Sequence, residues 1–98
     1  MGNESIEIFT KRELTYKLID LLINNGVKQR EIAQYVGSFD TIVHNYATRK
    51  KRIADYVVNY WYIKLYEMAL EKLDKQMVDN ELNKTLIELC TGIKKYKL

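Results

Sequence analysis

The chain has 98 residues, enough for one domain with a modest core. Sixteen Lys and Arg stand against thirteen Asp and Glu, a net charge of +3, so total charge says little about a partner. There is no proline, there are four glycines, and one cysteine excludes an internal disulfide and a zinc site built on cysteine pairs.

Residues 1–9 show no helical period and read as a loose arm, with Ile6, Ile8 and Phe9 available for packing. Thr10 is a candidate N-cap, and Glu13 three residues on completes a capping box. Leu14, Leu18, Leu21 and Leu22 then make an apolar stripe with Ile19 beside it. Asn24, Asn25 and Gly26 end this helix, Gly26 as the left-handed stop.

Residues 29–47, QREIAQYVGSFDTIVHNYA, read as two short helices joined by a sharp turn. Ile32 and Ala33 give the first a buried side, and Ala33 is small where a second helix would cross. Gly37 stands where the chain must reverse with φ above zero. Ser38 offers a capping hydroxyl. Val43 and Ala47, four apart, share the inner face of the second helix.

The basic run Arg49, Lys50, Lys51, Arg52 follows Thr48. From Ile53 to about Val78 nothing breaks the chain. Val57–Tyr66 is rich in β-branched and aromatic residues, but no Gly, Pro or Asn-Gly is there to turn a hairpin, Asn59 alone being a weak candidate, and helical spacing fits better. One long helix is expected, with Tyr56, Tyr60 and Trp61 on one face as core or interface; single-strand stacking is the weaker reading. Asp79 or Asn80 is the expected start of a last helix. Its seam is Leu82, Leu86, Leu89 and Ile93, with Cys90 as a small buried residue and Gly92 loosening its end. The expected architecture is all-α: a trihelical unit over residues 10–52, then a helical oligomerisation segment over 53–98.

The Gln29, Ala33, Gly37 and Val43 spacing resembles the helix-turn-helix of phage and plasmid repressors. The resemblance covers about a fifth of the chain. One position departs: the family usually has an aliphatic residue directly after the glycine, and here it is Ser38. Either Phe39 fills that gap or the turn is shifted by one residue. The resemblance implies that the second helix enters the DNA major groove. Phe39, Thr41, His44 and Asn45 would then read base edges, with Asp40 better suited to capping. Lys28, Gln29, Arg30, Thr48, Arg49, Lys50, Lys51 and Arg52 would contact phosphates. The partner implied is double-stranded DNA.

The apolar surplus of the second half points to a homodimer through Trp61, Leu65, Leu82, Leu86 and Leu89. A second reading from another class is an assembly protein resembling packaging-terminase small subunits, which the stoichiometry on DNA would distinguish. A single histidine, no nucleophile motif and no phosphate-cradling loop argue against an enzyme, a metal or a cofactor. No segment suits a membrane span or a signal peptide, and a cytoplasmic setting is expected.

Overall fold

The computed structural model describes the backbone of residues 5–97 and the side chains of residues 5–92. It is all-helical: α1 Ile6–Asn24, α2 Gln29–Val36, α3 Asp40–Ala47, α4 Asp55–Lys72 and α5 Lys75–Lys97, with no strand among the described residues. No described helix is long and apolar enough to cross a membrane.

α1 starts four residues earlier than Thr10. The Ser5 side chain accepts a hydrogen bond from the Ile8 amide at 3.1 Å, so Ser5 is the N-cap. Ile6, Ile8 and Phe9 belong to the helix rather than to an arm; residues 1–4 lie outside the described residues. Leu14, Leu18, Ile19, Leu21 and Leu22 are buried, as the stripe requires.

Three helices end on the same device. Gly26, Gly37 and Arg49 have φ of 93°, 73° and 62°. After each, an amide reaches back five residues: Val27 to the Leu22 carbonyl at 2.9 Å, Ser38 to Ala33 at 2.8 Å, and Lys50 to Asn45 at 2.8 Å. Glycine takes this left-handed conformation at little cost, but arginine does not. Something outside the local chain must hold Arg49 there.

The second half departs from the expected single long helix. The break falls at Leu73 and Asp74, not at 79–81. Leu73 is extended at φ −126°, ψ 167°. Asp74 then caps α5, its carboxylate accepting from the Met77 amide at 3.0 Å. Asp79 and Asn80 lie inside α5, as does Gly92. The early break folds α5 back, so that Val78 and Leu82 are buried and Lys17 of α1 pairs with Glu81 at 3.3 Å. Asp79 receives Lys75 at 2.7 Å and the Tyr66 hydroxyl at 2.8 Å, and these cationic and hydroxyl donors lower its pKa.

One hydrophobic cluster runs from Leu14 through Ile32, Val43, Ile53 and Trp61 to Leu82. It therefore takes residues from all five helices and from the link before α4, with α1 and α4 as its main pair. This corrects the expected division into a core unit and an apolar appendage. Trp61 is 5% exposed, Leu65 0% and Leu82 6%. They are core of a single chain and are not available to a partner. Leu86 is half-buried against the same cluster and Leu89 is half-buried, while Ile87 and Cys90 face solvent. Cys90 is thus not the buried residue anticipated. Ile93's side chain lies outside the described residues.

Candidate nucleic-acid interface

α2 is held by its ends. The Lys28 amide donates to the Glu31 carboxylate at 3.2 Å, and Lys72 of α4 reaches Glu31 at 3.3 Å. The backbone donor, then the lysine, keeps the Glu31 carboxyl below the usual range. The Tyr35 hydroxyl donates to Glu71 at 2.7 Å, which pushes its pKa up to about 12. The Tyr60 hydroxyl of α4 donates to the Val36 carbonyl at 3.2 Å, just before the turn. α4 is therefore a platform on which α2 and the turn are fixed.

The turn is Gly37, Ser38 and Phe39. Ser38 does not cap α3; Phe39 occupies the N-cap position, without a side-chain bond. Phe39 is 73% exposed, so it does not fill the apolar place after the glycine either. Asp40 is the first residue of α3, where a carboxylate suits the helix dipole, and Arg30 stands 3.9 Å from it.

α3 has a sharp division of faces. Val43 is fully buried, and Ile42, Tyr46 and Ala47 pack against the core. The Tyr46 ring meets Trp61 edge-on at 5.0 Å. Asp40, Thr41, His44 and Thr48 lie on the outer side and are exposed. Asn45 is half-buried, and its carbonyl accepts the Lys50 and Lys51 amides at 2.8 and 3.2 Å. The Thr48 hydroxyl donates to the His44 carbonyl at 2.8 Å.

The basic run and the link after it are anchored by three residues of α1. The Tyr16 ring lies under the Arg49 guanidinium at 4.3 Å, and its hydroxyl meets the Lys51 carbonyl at 3.5 Å and the Ile53 amide at 3.1 Å. Arg12, 3% exposed, donates to the Ile53 carbonyl at 2.8 Å and pairs with Asp55. Asp20 takes both amines of Arg49 at 3.3 and 2.9 Å. These contacts hold Arg49 in its left-handed conformation. They also engage a guanidinium that the sequence marks for phosphate, which makes Arg49 first a residue of the fold. Arg52 lies 4.0 Å from Asp55. Lys50 and Lys51 remain exposed, as do Lys28 and Arg30; Gln29, opening α2, is half-buried.

Residues 28–52 carry six basic side chains and two acidic ones, a net of +4 in a chain of +3. The rest of the molecule is therefore slightly acidic. The positive charge is concentrated on the hairpin and the run that follows it. Sequence reasoning missed Asp20 and Tyr16 as the holders of Arg49. They are 29 and 33 positions away, and the only local signal is a helix end without glycine.

Among the described residues, no group of three His, Cys, Asp or Glu side chains could hold a metal ion. No family model, no curated protein and no solved structure matches this chain.

Proposed function

We propose that the protein binds double-stranded DNA through α2 and α3, with α3 in the major groove, as a regulator or site-binding protein. One observation carries this reading. A short helix presents Thr41 and His44, with Phe39 at its start, to solvent next to the most basic segment of the chain. Hydroxyl, imidazole and aromatic groups in solvent suit base edges and thymine methyls, while Lys28, Arg30, Lys50 and Lys51 suit phosphates. Asn45, half-buried, would add an adenine contact from the edge of the same face. Asp40, the one adverse charge, has Arg30 beside it.

The test is duplex affinity as a function of salt, read by fluorescence anisotropy. If Lys28, Arg30, Lys50 and Lys51 each neutralise a phosphate, log K falls against log salt with a slope of roughly −0.9 per contact. Absence of binding to any member of a random duplex library at low salt would rule the reading out.

A further inference from the structure

Arg12, Tyr16 and Asp20 stand four residues apart and form one row along α1. The row follows residues 49–55 in the opposite direction. Asp20 holds the Arg49 guanidinium, Tyr16 reaches Arg49, the Lys51 carbonyl and the Ile53 amide, and Arg12 takes the Ile53 carbonyl and Asp55. Arg49 also donates to the Tyr46 and Ala47 carbonyls at 3.3 and 3.0 Å, so it closes the end of α3 and ties that end to α1. The Lys50 and Lys51 amides then return to the Asn45 carbonyl, a path that a left-handed residue 49 opens. The side chains of Lys50 and Lys51 are exposed. Asp20 is thus an acidic group beside a basic run, where bare charge counts against binding a polyanion.

We propose that Asp20 is a positioning residue for DNA binding. By holding Arg49 left-handed it sets the course of Lys50 and Lys51, and so the place where their ammonium groups meet phosphates. The proposal rests on the DNA reading above. Its consequence is opposite in sign to that of simple charge. Where charge alone acts, deleting a carboxylate next to a phosphate-binding run raises affinity. Here the deletion leaves Arg49 in a conformation that arginine resists. The run then samples other courses, and affinity falls with the fraction still competent to bind. Glycine at position 49 needs no such hold. Replacing Asp20 by alanine and Arg49 by glycine together removes one negative and one positive charge, so the net charge stays +3.

Fluorescence anisotropy on one set of duplexes compares the parent, Asp20→Ala, and Asp20→Ala combined with Arg49→Gly. Asp20→Ala should bind every duplex about 3–10-fold more weakly than the parent, although its net charge is more positive. The double variant should return to within about 2-fold of the parent. Charge alone gives the reverse order, with Asp20→Ala the tightest binder. Amide hydrogen exchange reads the same course without DNA. Exchange at Lys50 should quicken about 10-fold in Asp20→Ala and recover in the double variant, while Leu18 in α1 stays as protected as in the parent. Asp20→Asn, which keeps the size of the side chain, repeats the comparison if alanine lowers the Leu18 protection. An Asp20→Ala chain that binds as tightly as the parent, or more tightly, overturns the proposal. So does unchanged exchange at Lys50, or a double variant that binds no better than the single one. A parent that binds no duplex instead removes the DNA reading, and this proposal with it.

Discussion

α1 and α4 supply most of the core, whereas α3 buries one residue fully and leaves Thr41 and His44 in solvent. Trp61 and Leu65 are conspicuous and apolar, and the core takes them. Thr41 and His44 are polar and unremarkable, and α3 holds them outward with Val43 as its buried pin. The difference is one of supply. α1 and α4 are long enough to line one another over several turns. α2 and α3 have eight residues each and can afford only a narrow inner face. α2 and α3 are held with Ile32, Ala33, Val36 and Val43 inward, and α3 keeps Thr41 and His44 in solvent. The α4 platform, through Tyr35–Glu71, Lys72–Glu31 and Tyr60–Val36, does the holding.

The largest effect should come from breaking the platform. Leu65→Ala removes a fully buried side chain from the centre of α4 and should cost about 2–5 kcal/mol. Because all five helices share one cluster, loss of α4 packing should unfold α2 and α3 with it. A single calorimetric transition, shifted down, is the expected result. Two transitions would mean that the halves are energetically separate after all.

How much was legible follows the same division. The stops at Gly26 and Gly37, the opening of α2 at Gln29 and the inward Val43 all rest on local chemistry, and the structure has them. The start of α1 was misplaced because Thr10 with Glu13 has the spacing of a capping box, while the cap is Ser5, bonded to the Ile8 amide. The break before α5 carries no glycine or proline. Asp74 competes with Asp79 and Asn80 as a cap, and what selects it is the return of Val78 and Leu82 onto the core. The reading of Trp61, Leu65 and Leu82 as an interface failed for a related reason. Periodicity says that a face is apolar, but not what covers it, and here α1 does much of the covering. The exposed α3 face is visible from spacing alone. The link from Asp20 to Arg49 depends on the finished fold.

Arg49 sharpens the comparison with a smaller effect. It belongs to the presented segment by sequence and to the platform by contact. Arg49→Ala loses the Asp20 pair and the Tyr16 ring contact but keeps a left-handed residue at φ 62°, and should cost about 1–2 kcal/mol. Arg49→Gly loses the same contacts but relieves the backbone, and should be about 1 kcal/mol more stable than the alanine variant. Urea denaturation of the two variants checks the difference. Equal stabilities would show that the Arg49 conformation carries no strain.

The smallest effect on stability is the most informative about function. Thr41 and His44 are exposed, and among the described residues no side-chain hydrogen bond or ion pair ties either to the rest of the fold. Thr41→Ala and His44→Ala should therefore shift stability by no more than about 0.5 kcal/mol. Alanine also favours a helix more than threonine does, so the first should be neutral to slightly stabilising. If α3 reads bases, Thr41→Ala should nevertheless lose about 1–3 kcal/mol on the preferred duplex and relax its sequence preference. Lys50→Ala, equally neutral for the fold, should weaken all duplexes alike and flatten the salt slope by about one contact. The two readouts separate the readings cleanly. A Thr41→Ala chain that melts well below the parent would mean that the outer face of α3 is structural. A chain that melts with the parent and binds every duplex as well as the parent would leave that face without a base-reading role.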